Sequence, residues 1–466
     1  MSDLLVVANR GPVSAAVGPD GTLAVSHAAG GLAPSLARAL AGKGATWIAA
    51  PSSTAEREAA ARGLLARAAG DVDLRFVELD EAVQRAAYRV IANETLWFVH
   101  HAMFDRIRRP VFDRSWYAAW EGYRAYNRAF ADEIRARASR GATVVVNDYH
   151  LTLLGSMLAS ERPDLATVHF SHTPFASPEE LAVLPDAVAT ELLAGLCSFG
   201  ACGFHTSRWA DAFCACASAY GIGAPDVFVA PLGTDARELA GLAATPEASA
   251  RRDALLARLE GRRLVLRSDR VEPSKNLVRG FLAFEELLER APRWRDRVLF
   301  VARAYPSRSD IPEYRAYRDE LEAVVARVNA RFASGSGGPI ELEVADDFAA
   351  SLAALSCYDV LLVNPIRDGM NLVAKEGPAV NRRDGVLVLS REAGAFAELG
   401  GDAIAVEPFD VSGTAAALAR ALEMAPEERA ARAHALAALA GAHPPASWFA
   451  ELLARARCPV PDRALG

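Results

Sequence analysis

Short runs of aliphatic and β-branched residues alternate with longer helix-like runs along nearly the whole chain. This alternation is typical of a parallel sheet covered by helices, because successive parallel strands need a crossover between them, usually a helix. The pattern predicts an α/β fold with two successive doubly wound units and a ligand cleft between them. The expected strands are 4–9, 46–50, 143–147, 167–171, 201–205 and 227–231 in the first unit, and 263–269, 297–304, 339–344, 359–365, 385–390 and 403–408 in the second.

The length of the chain also favours two domains. A chain of 466 residues is too long for one ordinary core, so two domains of roughly 200 residues each are expected. An alanine-rich run at 236–262 reads as a helical connection between them. We predict an N-terminal domain at 1–240, a C-terminal domain at 241–445, and a helix and tail at 446–466 that can pack back on the first domain.

Charge and cysteine usage exclude several classes of function. The 58 acidic residues outnumber the 51 basic ones, so the net charge of −7 should repel nucleic acid and anionic membranes. The apolar run near the N-terminus is too short for a signal-peptide core or a membrane span, and we expect a cytoplasmic protein. The six cysteines lack zinc-binding spacing, so we expect reduced thiols and no metal or other cofactor. The sequence leaves a homo-oligomer open.

Polar residues follow the strands of the first unit. Arg10 comes after the first strand, and Gly30 with Gly31 stands at the mouth of a helix, where a backbone could approach an anion closely. An ordinary turn would show the same glycine pair. Asp148 and His172 follow two successive strands, so their side chains should lie near each other.

Two aromatic residues, Tyr88 and Trp97, stand in the stretch YRVIANETLWF. On local evidence alone this stretch reads as core aromatics.

In the second unit, cationic side chains follow two strands. Arg270 and Lys275 lie five residues apart in a strand–helix turn, where a guanidinium and an ammonium can clamp a diphosphate. Solvated loop residues would look the same. The chain has only three lysines, Lys43, Lys275 and Lys375, so each is informative. Arg308 follows the next strand.

The stretch NPIRDGMNLVAKE at 364–376 joins a buried strand to a helix. Asp368 can accept hydrogen bonds from sugar hydroxyls, and the amides of Asn371, Leu372 and Val373 can face a phosphate at the helix start. Glu376 could accept both hydroxyls of a ribose. Anion grips in both halves, with a carboxylate and an imidazole between them, suggest transfer from a nucleotide-activated donor to a second anionic substrate.

These motifs resemble one family in order and spacing. The motifs NRG, GGL, Tyr-x8-Trp, DYHL, SHTPF, R-x4-K, PSR and RDGMNLVAKE are similar to those of trehalose-6-phosphate synthases from about residue 4 to about residue 450. That family comprises retaining, metal-independent glycosyltransferases with two Rossmann-like domains, the GT-B architecture. The resemblance implies transfer of glucose from UDP- or GDP-glucose to glucose 6-phosphate, giving α,α-trehalose 6-phosphate, with the departing phosphate taking the acceptor proton.

The resemblance also implies roles for individual residues, including Tyr88 and Trp97, which local evidence had assigned to the core. The implied catalytic residues are Arg270, Lys275, His172, Asp148 and Asp368; the donor-binding residues are Gly30, Gly31, Arg270, Lys275, Asp368, Met370, Asn371, Leu372, Val373 and Glu376; the acceptor-binding residues are Arg10, Tyr88, Trp97, Asp148 and Arg308.

The sequence departs from the family pattern in several places. The clamp usually reads RLDYSKG, whereas here it is RVEPSKN, with Pro273 and Asn276 in place of tyrosine and glycine. Asn147 stands where a histidine often precedes DYHL, and SHTPFAS replaces HIPFP. The segment 344–355, which is expected near the nucleotide base of the donor, is shorter than expected. The sequence therefore does not decide between UDP-glucose and GDP-glucose.

Four alternatives remain. A cyclitol-coupling pseudo-glycosyltransferase has a similar EPSKN-like clamp, but we expect RDGMN to be eroded there. A glucosylglycerol-phosphate synthase would use a smaller acceptor. A silent sugar-phosphate-binding subunit should have lost a clamp residue, and a sugar-nucleotide epimerase would need no acceptor-phosphate pocket.

Overall fold

A computed structural model describes residues 1–18, 22–27, 32–40, 42–335 and 337–459. It divides the chain into two compact units. The first comprises Met1–Pro231 together with Pro445–Gly466, and the second comprises Leu232–Pro444. No helix within the described ranges is both long and apolar enough to cross a bilayer.

The first unit is built on a seven-stranded parallel sheet and a separate antiparallel hairpin. Its strands are β1 (Ser2–Val7), β2 (Val13–Val17), β3 (Leu23–His27), β4 (Thr46–Ala49), β5 (Asp73–Phe76), β6 (Ala138–Asn147), β7 (Ala166–Ser171), β8 (Ala201–Phe204) and β9 (Asp226–Val229). The sheet order is β5-β4-β1-β6-β7-β8-β9, and β2 pairs with β3 in the hairpin. The central strands β1 and β6 carry runs with no exposed surface, Leu5–Val7 and Val144–Val146, as expected for strands covered on both faces.

Helices cover this sheet. They are α1 (Leu32–Leu40), α2 (Thr54–Ala61), α3 (Leu64–Ala68), α4 (Glu81–Arg85), α5 (Trp97–His100), α6 (Arg114–Arg137), α7 (Leu154–Glu161), α8 (Pro178–Leu181), α9 (Asp186–Cys197) and α10 (Ser207–Ala219). A π-helix spans Ala86–Leu96 and a 3-10 turn spans Tyr149–Leu151.

The second unit has a six-stranded parallel sheet. Its strands are β10 (Arg263–Arg270), β11 (Val298–Tyr305), β12 (Ile340–Val344), β13 (Val360–Val363), β14 (Val386–Ser390) and β15 (Ile404–Val406). Their order, β12-β11-β10-β13-β14-β15, is the doubly wound order in which the chain starts in the middle and reverses direction once. Ligands of such sheets bind at the carboxyl ends of the strands beside the reversal, here β10 and β13.

The helices of the second unit, followed by the last helix of the chain, are α11 (Ala236–Ala243), α12 (Pro246–Leu259), α13 (Leu277–Arg290), α14 (Pro312–Phe332), α15 (Phe348–Leu355), α16 (Val373–Val380), α17 (Phe396–Leu399), α18 (Val411–Glu423), α19 (Pro426–Ala440) and α20 (Pro445–Arg455). Short 3-10 turns span Pro273–Lys275 and Pro292–Trp294.

Two separate cores flank the second sheet, one on each face. Val265 packs in one core with Phe281 of α13, whereas its neighbours Leu264 and Leu266 pack in the other with Leu255 of α12. This alternation is what a strand buried on both sides requires, because successive side chains point to opposite faces. The sequence prediction of an α/β protein with two doubly wound units is confirmed.

The compact units divide after Pro231, nine residues before the boundary drawn from the sequence at 240. The difference arises because α11 buries Leu239 and Ala243 in the second unit's core beside Leu259. The alanine-rich run is also two helices, α11 and α12, separated at Thr245, which caps the second of them.

The last helix, α20, belongs to the first unit. Thr167 of β7 donates its backbone N–H to the carbonyl of Arg457 over 2.9 Å. At Gly200 a Cβ atom would come within 1.9 Å of the same carbonyl oxygen, so only glycine admits this close approach. The C-terminal segment is therefore an integral part of the first unit.

All twelve strands expected from the sequence are present, with ends within two residues, except that β6 begins five residues earlier at Ala138. Within the described residues three strands were not predicted: β2 and β3 of the hairpin, and β5, whose sequence Asp-Leu-Arg-Phe alternates charged and apolar residues and so lacks the apolar run of the other strands.

Candidate active site

Arg270 is the last residue of β10, and the loop that follows it carries Lys275 and is anchored by Asn276. Asn276 has a left-handed backbone, with φ of 63°. Its amide donates to the carbonyls of Asn364 and Pro408, at 3.0 and 2.7 Å. Asparagine tolerates this conformation better than most residues and, unlike glycine, adds two hydrogen bonds. The departure from the family's glycine therefore fastens the loop to β13.

A buried guanidinium lies beneath the same loop. Arg267, 1% exposed, donates to the backbone carbonyl of Lys275 and, over 2.6 Å, to the Oδ1 atom of Asn364. It also forms an ion pair of 3.1 Å with Asp269, whose pKa is raised by burial. Sequence reasoning missed Arg267, because a charged residue inside an apolar strand gives no periodic signal.

Lys275 and Asp368 come from different loops and meet at the carboxyl ends of β10 and β13. The Nζ atom of Lys275 donates to Oδ2 of Asp368, and the Asn371 amide donates to the same oxygen over 3.0 Å. Both members of the ion pair are largely buried, with 13% and 14% of their side chains exposed. The predicted clamp loop and the predicted sugar-binding loop are thus in direct contact.

The loop before α16 presents backbone amides. Asn371 has φ of 75° and accepts from the N–H of Ala374 over 3.2 Å, and the amide of Lys375 bonds to the carbonyl of Leu372. The amides of Leu372 and Val373 precede these first helical bonds, where a helix start has unsatisfied donors. Met370 is buried in the core, and its carbonyl accepts from Ala395 over 2.7 Å, which fixes the path of the loop.

The two charged residues of α16, Lys375 and Glu376, differ in burial and in their contacts. Lys375 is fully buried and bonds to Glu398 at 2.5 Å and to the carbonyl of Leu232 at 3.0 Å, so this lysine supports the fold. Glu376 is partly buried, and desolvation raises the pKa of its carboxyl to about 7.

Arg308 follows β11 in a left-handed backbone, with φ of 38°. Its guanidinium donates to the hydroxyl of Tyr314 and lies over that ring, 5.5 Å from the centroid.

In the first unit, Arg10 and Tyr88 are in contact. The Nη2 atom of Arg10 donates to the Tyr88 hydroxyl over 3.1 Å, and the carbonyl of Arg10 accepts from the indole of Trp47. Tyr88 stacks on His150 at 5.8 Å between ring centroids.

Tyr88 and Trp97 are related by a π-helix. The segment Ala86–Leu96 is π-helical, and the Trp97 N–H bonds to the carbonyl of Ala92, five residues earlier. A π-helix has about 4.4 residues per turn, so nine residues make about two turns, whereas the same spacing in an α-helix would point the side chains apart. Trp97 itself is 2% exposed and stacks on His101 at 4.1 Å.

Asp148 and His172 are in contact at the carboxyl ends of β6 and β7. Asp148 Oδ1 accepts from the backbone N–H of His172 over 3.2 Å. The backbone of Asp148 has φ of 70° and ψ of 171°, a region that is nearly exclusive to glycine. Such strain in a non-glycine residue persists only where the surroundings enforce it, and it clusters at functional sites.

The imidazole of His172 is held neutral between two partners. Its Nε2 atom lies 3.1 Å from Oδ1 of Asn147, and its Nδ1 atom lies 3.3 Å from Nε2 of His205. Because the Asn147 amide donates to the carbonyl of Val7, its oxygen faces His172, which must then carry its proton on Nε2. Burial, with the nearby His205 and His169, lowers the pKa of His172 well below its usual value.

Unusual backbone conformations concentrate at these loops. Seven non-glycine residues in the described part of the chain have positive φ, and four of them are Asp148, Asn276, Arg308 and Asn371. Each follows a strand at the sheet edge where parallel-sheet proteins bind ligands.

The structure joins the predicted residues in groups: Arg10 with Tyr88, Asp148 with His172, and Lys275 with Asp368 and Asn371. Gly30 and Gly31 lie outside the described residues. In the described ranges, no three histidine, cysteine or carboxylate side chains form a cluster suited to a metal ion, and all six cysteines are free.

Two doubly wound units, each with polar residues after the strands beside its reversal point, define an α/β protein of the GT-B class. The sequence pattern of glycosyltransferase family 20 matches residues 2–457, and the chain belongs to that family.

Individual relatives are consistent with this family assignment. The chain is 34% identical to an α,α-trehalose-phosphate synthase (UDP-forming) of Arabidopsis thaliana. The match covers 92% of this chain but only 47% of the length of the Arabidopsis protein. It is 33% identical to a trehalose-6-phosphate synthase of Mycobacterium avium, covering 97% of this chain and 94% of the relative. A crystal structure of a UDP-forming α,α-trehalose-phosphate synthase from Burkholderia xenovorans in complex with glucose-6-phosphate is 30% identical, with a TM-score of 0.84 over 97% of this chain and 99% of the other.

Proposed function

We propose that this chain is a retaining glucosyltransferase that moves glucose from UDP-glucose to glucose 6-phosphate, giving α,α-trehalose 6-phosphate. The sequence left UDP and GDP open, and UDP is supported by the two relatives described as UDP-forming. The acceptor is supported by the Burkholderia xenovorans complex. The observation that carries the proposal is the contact between Lys275 and Asp368, because it joins a cationic loop to a carboxylate loop at the reversal point of the second sheet.

On the donor side, the proposed roles follow the charges. Arg270 and Lys275 would bind the diphosphate, and the amides of Leu372 and Val373 at the start of α16 would add hydrogen bonds to a phosphate. Asp368 and the backbone at Met370 and Asn371 would hold the donor glucose. Glu376, in its ionised form, would accept the ribose hydroxyls.

On the acceptor side, Arg10, Tyr88, Trp97 and Arg308 would bind the 6-phosphate. The Arg10 guanidinium already meets the Tyr88 hydroxyl, which orients a planar fork suited to phosphate oxygens. Asp148 would hold the acceptor hydroxyls, and its strained backbone supports a functional role.

The proposed reaction uses no enzymic nucleophile. The bond between C1 of the donor glucose and the diphosphate oxygen breaks, and its electron pair leaves with UDP. The anomeric hydroxyl of the acceptor attacks C1 from the same face, and its proton passes to the departing phosphate oxygen. Arg270 and Lys275 would stabilise the negative charge that develops on that oxygen, and His172 would contact the sugar as a neutral imidazole.

We place the reaction in the cytoplasm, where thiols stay reduced, because all six cysteines are free. The partners proposed for the chain are its two small-molecule substrates, with a homo-oligomer left open.

The proposal is tested by measuring nucleotide release with UDP-glucose or GDP-glucose, each offered glucose 6-phosphate, glycerol 3-phosphate or no acceptor, with a chelator present. Release of UDP that depends on glucose 6-phosphate is the expected result. Release only with glycerol 3-phosphate would show that the acceptor is glycerol 3-phosphate and not glucose 6-phosphate. Release with neither acceptor would favour the cyclitol-coupling enzyme or the silent binder.

A further inference from the structure

A fully buried carboxylate, Glu272, contacts both Arg270, which is assigned to the donor, and the residue that precedes Arg308, which is assigned to the acceptor. Glu272 has no exposed surface, and its Oε1 atom lies 3.2 Å from Nε of Arg270. The same oxygen accepts from the hydroxyl of Ser307 over 2.7 Å, and Ser307 directly precedes Arg308. Glu272 belongs to the loop after β10 and Ser307 to the loop after β11, so one carboxylate oxygen connects the two loops.

The carboxylate is ionised although it is buried. Desolvation by burial acts to raise the pKa of Glu272, but Arg270, Arg308 and Lys275, together with the Ser307 hydroxyl, outweigh it and lower this pKa to about 2. A buried ion of this kind is stable only when cations and hydrogen bonds compensate it. Its second oxygen, Oε2, is buried without a hydrogen-bond partner within the described ranges.

The backbone makes the position of Glu272 rigid. Its N–H donates to the carbonyl of Arg270 over 2.8 Å, and its carbonyl accepts from the N–H of Lys275 over 3.0 Å. The following residue, Pro273, has a fixed φ and opens the 3-10 turn that ends at Lys275. The carboxylate is therefore held in the short segment that joins the two clamp residues, Arg270 and Lys275.

We propose that Glu272 is a positioning residue that holds Arg270 and Arg308 as one electrostatic unit, so that the leaving-group clamp and the acceptor-phosphate grip are set by a single buried charge. This inference rests on the proposed function. It extends that function, because it makes one residue that touches neither substrate responsible for both binding events.

The family motif RLDYSKG has aspartate at the position of Glu272, so two substitutions, to aspartate and to glutamine, separate the effect of charge from that of side-chain size. Glu272→Gln keeps the shape of the side chain and removes the charge, whereas Glu272→Asp keeps the charge and shortens the side chain by one methylene. If charge positions the arginines, Glu272→Asp must be the better enzyme. If the residue only fills space, Glu272→Gln must be the better enzyme, because aspartate leaves a cavity.

The experiment measures kcat and both KM values for the wild type, Glu272→Asp, Glu272→Gln and a matched control, Glu285→Gln. Glu285 is another buried glutamate of the same unit and pairs with Arg327 and Arg331 away from these loops. We expect Glu272→Gln to lower kcat about 30-fold and to raise the KM for glucose 6-phosphate about 10-fold, with Glu272→Asp within about 5-fold of the wild type on both. Glu285→Gln should change neither constant per folded molecule.

Two results would overturn the inference: Glu272→Gln more active than Glu272→Asp, or a fall in kcat with both KM values unchanged. If Glu272→Gln does not fold, a folded but inactive Glu272→Asp would overturn it as well. If the wild type turns over no pair of substrates, the proposed function fails, and the inference is tested by calorimetry with UDP and glucose 6-phosphate. In that case Glu272→Gln must weaken both affinities and Glu285→Gln neither.

Discussion

The indole of Trp448, on the last helix, lies 5.6 Å from the imidazole of His172, measured between ring centroids. Trp448 is 3% exposed and also meets the ring of Phe170 edge to face at 5.0 Å. The residue predicted to touch the donor sugar therefore depends on the C-terminal segment for its packing.

Trp448→Ala should lower both stability and turnover. Losing a buried tryptophan costs on the order of 3–5 kcal/mol of unfolding free energy, and the imidazole of His172 loses a ring against which it packs. Trp448→Phe should keep most of both, because the Nε1 atom of Trp448 is buried without a partner within the described residues.

Phe449→Ala is the matched control, since Phe449 is 1% exposed on the same helix. Thermal melts and kcat per folded molecule separate the effects. Equal losses of kcat in Trp448→Ala and Phe449→Ala would remove the specific link to His172.

Removing either clamp cation should abolish most turnover. We expect Arg270→Ala and Lys275→Ala each to lower kcat/KM by about 100- to 1,000-fold, because each loses a charge-assisted contact to the leaving group. Lys43→Ala, at an exposed lysine, is the control. Full activity in either clamp variant would refute its assignment.

Donor binding should respond to pH through Glu376. Its carboxyl, with a pKa raised to about 7, is protonated below neutrality and then loses acceptor capacity for the ribose hydroxyls. UDP affinity, measured by calorimetry, should fall as pH decreases from about 8 to about 6.

Glu376→Gln should bind UDP at every pH with the low affinity that the wild type shows when Glu376 is protonated. The raised pKa also means that ionising Glu376 costs stability, so its contribution to stability decreases as pH rises from about 4.5 to about 7. The glutamine variant should therefore gain stability relative to the wild type at pH near 8. UDP affinity in Glu376→Gln that follows pH as in the wild type would exclude Glu376 as the titrating group.

Asn147→Asp should create a pH dependence that the wild type lacks. The neutral amide oxygen of Asn147 accepts from Nε2 of His172, whose pKa is far below neutrality, so kcat should show no inflection from this imidazole between about pH 6 and 8. A carboxylate at position 147 would favour the imidazolium and raise that pKa. An inflection near neutral pH in the variant alone is expected; the same profile in both proteins would contradict the neutral assignment.

Asp148 should show opposite effects on stability and function. Replacing it with glycine relieves a backbone conformation that costs about 1–3 kcal/mol, whereas alanine retains the strain and loses the carboxylate. We expect Asp148→Gly to melt above Asp148→Ala, and both variants to bind glucose 6-phosphate weakly. A higher melting temperature for the alanine variant would show that the backbone is not strained.

The doubly wound units could be predicted from the sequence because their strands are buried on both faces, and such strands read as continuous apolar runs, as in Leu5–Val7. The short β5 and the hairpin of β2 and β3 gave no comparable signal. The site motifs were visible as polar residues after strands, but the contacts between them were not.

The features that could not be predicted from the sequence are mostly those that support the site residues. The π-helix between Tyr88 and Trp97 leaves no mark in residue type, and a residue such as Arg267 or Glu272 reads as solvent-exposed until its neighbours in space are known. Such residues depend on contacts between loops that are distant along the chain.

The second unit is inserted within the first, whose sheet is packed by a helix that follows Pro444. During synthesis on the ribosome, the environment of His172 must therefore stay unfinished until the whole second unit and then α20 have emerged. A nascent chain that ends before residue 445 carries both doubly wound sheets but lacks Trp448, so the imidazole of His172 gains this packing partner only after α20 has been translated.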